Sequence, residues 1–369
     1  MKSNLLPVIL TATAFGLLAG VAGALFTNVY DSGNLSNLDF NRELNLSDYS
    51  YPSSNLVIRD AKKVVVNQDV KVDETIRDLR GSLLGVFAKQ KGANDYYQLK
   101  DPFAQALAAT TDGWVMVAWP ETPTKTELNR LKDEYVVIDS GRKIYEIDQV
   151  LASDDKTGGF IFFHLKNATS LNVRRLVADN EIKTGLSLLV SAADDSFLLD
   201  NLSAKTPTGV LLSSDAYSQR FSLSSGEAHK LSFIFNLSGE IVGAVDWQGN
   251  FLSSPELDAY WRSLLKTKTL NLPVFGVNYL ELTAVVGNKT LPEKGALLQA
   301  NGEAAAVLEN SPAAKAGLEA GDIITRIDGT EINTDNNLSV LIMKYNSGDR
   351  LNVTYSRNGE SLQTEVTLK

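Results

Sequence analysis

Residues 304–332 read AAAVLENSPAAKAGLEAGDIITRIDGTEI, and the spacing of small, apolar and turn residues in this run decides the fold of the C-terminal part of the chain. Ser311 is placed to cap a short helix, with Pro312 in the first turn, where its missing N–H leaves nothing unpaired. Gly317 stands where that helix must end in a left-handed residue. Gly321-Asp322 then turns the chain into an apolar strand, Ile323–Ile327, and Asp328-Gly329 makes the next tight turn. Downstream, NNLSVLIMKYNSGDRLNVTYSRNG (336–359) opens on Asn336 and Asn337 as caps of a second helix, whose Leu338, Leu341 and Ile342 share one face. Upstream, LPVFGVNYLEL (272–282) reads as an apolar strand entered through Gly276. Residues 269–369 therefore form one small α+β domain.

The preceding segment speaks in strands. Asp112-Gly113 separates two apolar runs in ALAATTDGWVMVAW (106–119), a strong hairpin signal, and Ser140-Gly141 does the same in YVVIDSGRKIYEIDQVLA. FIFFHL (160–165), LSLLVSA (186–192), GVLLSS (209–214), LSFIFN (231–236) and EIVGAVDW (240–247) follow. Many short strands between turn residues predict a barrel or sandwich domain over 56–268. Asp73 opens a helical turn that runs into a strand at Leu83–Ala88. Further helix is predicted only at Thr126–Asp133 and at Ser254–Lys266, with Ser254 as N-cap and Pro255 first in the helix.

From Leu5 to Thr27 the chain carries 23 residues without a charge, preceded by Lys2. Such a run spans a bilayer core of about 30 Å as a helix and would leave everything after Tyr30 outside the cytoplasm. The alternative is a signal peptide cleaved after Ala24, which would secrete the chain. Residues 1–30 are thus an anchor or a signal, and 31–55, rich in Asn, Ser and Asp, a polar linker. A net charge of −9 without a basic run argues against nucleic acid as a partner. With no cysteine and two histidines, His164 and His229, in no zinc-ligand spacing, neither a metal nor a cofactor is expected.

The C-terminal pieces resemble a bacterial PDZ domain of the kind fused to HtrA (Deg) proteases. TTDGWVMVAWP, IDSGRKIYEIDQVLASDDKTGGFIFFHL, NEIKTGLSLLV and FNLSGEIVGAV resemble, in order, the segments that carry or flank the catalytic residues of those enzymes. The fold class implied is mostly β: a trypsin-like double β-barrel followed by a PDZ domain, behind an N-terminal transmembrane helix. By the same resemblance, a peptide C-terminus lies between the second PDZ helix and the exposed edge of the strand Val277–Leu282. Val274, Phe275, Gly276 and Val277 hold its carboxylate, while Phe275, Val277, Leu338 and Ile342 line the pocket for a terminal Val, Leu, Ile or Phe side chain. Gly276→Val is then expected to remove binding and leave the fold intact. Assembly as a trimer through the protease-like domain is also implied.

At the matched positions the catalytic side chains are missing. The base position falls on Pro120, the orienting position on Gly159 and the nucleophile position on Lys230. Where the family has Gly-Asn-Ser-Gly-Gly, this chain has Ala228-His229-Lys230-Leu231-Ser232. General base, orienter, nucleophile and the glycines of the oxyanion hole are all replaced. The expected function is a non-catalytic, extracytoplasmic binder of protein C-termini or unfolded segments, at the periplasm or cell surface. Two alternatives stay open: an active serine endopeptidase with displaced residues (Ser225 with His229, Ser232, or a Lys230 dyad), and a structural component of an envelope or secretion assembly.

Overall fold

The computed structural model describes residues 68–92, 96–121, 123–152, 159–192, 194–227, 229–286 and 291–369, all within the compact unit Val66–Lys369. The uncharged run 5–27 and the linker 31–55 lie outside the described residues. Helix α1, Gln68–Arg80, begins earlier than the expected turn at Asp73, because Val72, Ile76 and Leu79 already repeat at helical spacing and pack on one core.

Strands β1 (Leu83–Ala88), β2 (Ala104–Ala108), β3 (Trp114–Ala118), β4 (Tyr135–Ile138), β5 (Ile144–Ala152) and β6 (Phe160–Leu165) close a barrel in the order β1-β2-β3-β6-β5-β4. Helix α2, Lys125–Glu134, joins β3 to β4. Both hairpins fall where Asp112-Gly113 and Ser140-Gly141 place them, and Gly113 takes a left-handed φ of +118°. β3 is buried along its whole length because its alternate residues serve two cores. Val115 and Val117 fill the barrel with Ile161 and Phe163; Trp114, Met116 and Ala118 face a second sheet.

That sheet comprises β7 (Ser187–Ser191), β8 (Phe197–Pro207), β10 (Gln219–Leu223), β11 (Ser232–Asn236), β12 (Ile241–Val245) and β13 (Phe251–Ser253), in the order β10-β8-β7-β11-β12-β13. Its Phe233, Phe235, Ile241 and Ala244 meet the outward residues of β3 and β6. Each large apolar side chain so buried contributes roughly 1.5–3 kcal/mol. The intervening strand β9, Leu211–Ser213, joins neither of these sheets. The sequence reading put this segment in the barrel domain; it pairs instead with the C-terminal domain.

Helix α3, Ser254–Thr267, leads out of the second sheet. Its N-cap is Ser253, one residue before the expected Ser254, because Glu256 then stands at the third helical position. The Glu256 carboxylate accepts hydrogen bonds from the N–H and hydroxyl of Ser253, at 2.8 and 2.7 Å. The C-terminal domain contains β14 (Asn278–Glu281), β15 (Ala296–Leu298), α4 (Pro312–Lys315), β16 (Ile323–Ile327), β17 (Thr330–Glu331), α5 (Leu338–Ile342), β18 (Arg350–Arg357) and β19 (Glu360–Thr367). Its sheet runs β19-β18-β16-β15-β14-β9, with β17 on β16. Arg262 of α3 fixes this domain to the rest. Its guanidinium donates to the carbonyls of Met343, Lys344 and Tyr345, just past α5.

Candidate functional site

Two places carry the functional question: the seam between the barrel and the second sheet, and the groove between β14 and α5. At the seam, Ala118 pairs with Phe160, so Pro120 lies just beyond the end of β3 and Gly159 just before β6. Pro120 is half-buried and Gly159 buried. A Cβ at position 159 would fall 2.8 Å from Cδ1 of Trp247 and 3.0 Å from Cβ of Asp246. The space an orienting aspartate needs is therefore filled by Trp247. Asp246 does not replace it, since its Oδ1 accepts the N–H groups of Gln248, Gly249 and Asn250. From the other side, Leu231 donates its N–H to the Asp246 carbonyl at 3.3 Å, which brings the Lys230–Leu231 turn to the same spot. Lys230 itself is exposed. His229 and Leu231 take left-handed φ values of 41° and 59° without being glycine, a strain that two side chains with a Cβ must bear.

The displaced set weighed from sequence does gather. Ser225 Oγ lies 3.0 Å from His229 Nε2, and both meet the carboxylate of Asp200 on β8, a residue the sequence reading missed. The chemistry of a triad needs serine and aspartate on opposite ring nitrogens, so that the base is oriented through Nδ1 and takes the proton at Nε2. Here both reach Nε2, and the Ser225 hydroxyl donates to Asp200 Oδ2 at 2.6 Å. Asp200 also accepts the N–H groups of Asn201 and Ser225. These donors hold its carboxyl below the ordinary range against the opposing effect of burial. The cluster ties Ser225 and His229 to β8. Ser232 donates to the carbonyl of His229. His164, the other histidine, pairs with Asp148 at 2.6 Å and rests on Trp114. Among the described residues, no cluster of three metal-ligating side chains occurs.

In the groove, Phe275, Val277, Leu338 and Ile342 are fully buried in the core of the C-terminal domain, Gly276 is buried and Val274 is half-buried. Val274 pairs with Lys369 through both backbone groups. Gly276 has a φ of +88°, and a Cβ there would lie 2.2 Å from Cβ of Ser311, the cap of α4. Close packing on α4 thus requires this glycine, beside any approach of a ligand. The strand edge expected to be open is covered. Leu211, Leu212 and Ser213 pair antiparallel with Leu280, Tyr279 and Asn278. The N–H groups of Phe275 and Gly276 donate to Asp215 Oδ1 at 2.8 and 3.0 Å, and that of Val277 to Ser214 Oγ at 3.0 Å. Asp215 carries no local sequence signal, because its partners lie about sixty residues further on.

The first part of the chain is thus a closed β barrel packed on a second β sheet, and a PDZ domain follows it. Residues 287–368 match the family described as PDZ domain. The chain is similar to the serine protease Do-like HtrA of Bacillus subtilis (strain 168), 31% identical over 148 residues, which cover 37% of this chain and 33% of that protein. It is similar also to the zinc metalloprotease RasP of Shouchella clausii (strain KSM-K16), 45% identical over 60 residues, or 16% of this chain and 14% of that one. The matches thus span about a third or less of these curated relatives. Among solved structures, the HtrA-type protease AlgW with tripeptide is similar at a TM-score of 0.46 and 15% identity, over 81% of this chain and 97% of that one.

Proposed function

We propose that this chain is a non-catalytic HtrA-like protein whose PDZ domain binds protein C-termini or unfolded segments outside the cytoplasm. The observation that carries the reading is the seam. Pro120 has no titratable group, Trp247 stands where a side chain at Gly159 would go, and Lys230 points to solvent. The resemblance to HtrA proteins supports the extracytoplasmic setting, with Leu5–Thr27 as the anchor and a trimer as the assembly. In this reading the barrel and second sheet are a rigid carrier for the PDZ domain.

Full-length protein in detergent, incubated with fluorescent casein, is expected to release no fragments above the buffer control. The contact of Ser225, His229 and Asp200 favours one competing reading, an endopeptidase with a displaced nucleophile. Casein cleavage that vanishes in Ser225→Ala would replace the proposal with that reading. The shared use of Nε2 argues for the first outcome.

A further inference from the structure

We propose that residues 209–217 are an internal ligand of the PDZ groove: they occupy it as an added strand, with the Asp215 carboxylate in the place of a chain-terminal carboxylate, so that a partner peptide binds only by displacing them. This rests on the reading of the groove as a peptide site given above.

Three contacts that a bound peptide would need are made by the chain itself. The main-chain ladder is present, with Leu211–Ser213 antiparallel to β14 and the Ser214 N–H donating to the Val277 carbonyl at 2.9 Å. Strand addition of this kind draws its affinity from backbone hydrogen bonds. The anion is present too. A strand that runs on past the groove has no terminal carboxylate, and Asp215 supplies one from the side chain of the next residue. Its Oδ1, with Ser214 Oγ, takes up the three successive N–H groups of Phe275, Gly276 and Val277. Side-chain alternation completes the likeness: Leu212 and Ser214 are buried, whereas Leu211 and Ser213 are half-buried. Leu212 belongs to the same core as Phe275, Leu338 and Ile342.

The occupant is built to be displaced. Its paired strand is only three residues long, and Val210 beside it is 71% exposed. The innermost of its buried side chains is a serine, so an incoming apolar residue would bury more surface there. A tethered ligand competes at an effective concentration on the order of millimolar, which lowers the apparent affinity of any partner by the fraction of grooves left open.

The test uses full-length wild type, Asp215→Ala and Leu212→Asp, the last placing an unpaired charge against the apolar groove. Amide hydrogen exchange and the binding of fluorescent decapeptides ending in Val, Leu, Ile or Phe with a free carboxylate are measured on each. In both variants exchange across 274–282 is expected to rise at least tenfold while 350–367 stays protected, and the peptides are expected to bind at least tenfold more tightly than to wild type. Unchanged exchange across 274–282 in both variants, or equal peptide affinity in all three proteins, overturns the internal ligand. If exchange rises but no protein binds any free-carboxylate peptide, the internal strand stands and the groove's assignment to partner C-termini falls.

Discussion

Gly276 shows how one residue answers to two demands. Its φ of +88° is rarely adopted by residues with a side chain, and Ser311 leaves no room for one. Gly276→Val is therefore expected to destabilise the PDZ domain by about 2–4 kcal/mol in urea denaturation, in place of the clean loss of binding expected from sequence. Glu256 offers a pH test. Burial pushes its carboxyl up from 4.5 to about 7, although two Ser253 donors oppose the shift. Below about pH 4.5 the carboxyl is protonated in both states and the shift has no effect. Between there and about 7 the folded chain keeps a proton that the unfolded chain has released, so stability falls as pH rises. Wild type is expected to lose about 2–3 kcal/mol between pH 5 and 8 by urea denaturation, and Glu256→Gln to lose much less. The residues absent from the sequence reading, Asp200 and Asp215, are both carboxylates that join residues distant in the chain, Ser225 and His229 for the first, Phe275 and Gly276 for the second. Ser225 and His229 were legible together because four residues separate them; Asp200 was not, because it arrives from another strand.

Among the elements, α3 has the widest reach. Its half-buried Glu256 closes the capping box with Ser253, and further along Arg262 reaches the carbonyls that follow α5. Those carbonyls lie at the negative end of a short helix, where a cation and its N–H groups satisfy acceptors the helix cannot. Arg262→Ala should lower the stability of the PDZ domain by about 1–3 kcal/mol, read by urea denaturation, and Lys should restore only part of it, since an ammonium lacks the planar fork. Most elements were legible: hairpin turns, helix caps and the alternation of β3 are local properties of sequence. β9 was the exception. Its apolar run reads as a strand wherever it goes, and nothing within 209–214 states which sheet receives it. The receiving sheet is chosen by the amides of 275–277 and by the pocket for Leu212, which lie in another domain.

At the scale of the whole molecule, the order of domains was legible from motifs spread along the chain, whereas the contact between them was not. Order follows from turn and strand signals met one after another. The relation between domains follows from Arg262, from Lys266 with Asp349, and from the strand laid across β14, each a pairing of residues far apart in sequence. Two of these are polar contacts at a surface; the third closes the free side of a sheet. That closure has a consequence for solubility. β14 without its neighbour would present unpaired N–H and C=O groups beside apolar side chains, the kind of edge through which sheets of separate molecules join. Were the strand lifted by a partner, the edge would pass directly from one occupant to the next. Were it lifted by heat or mutation instead, the same edge would be left open to other copies of the chain. Residues 211–213 therefore guard the protein against its own aggregation whenever the groove holds nothing else.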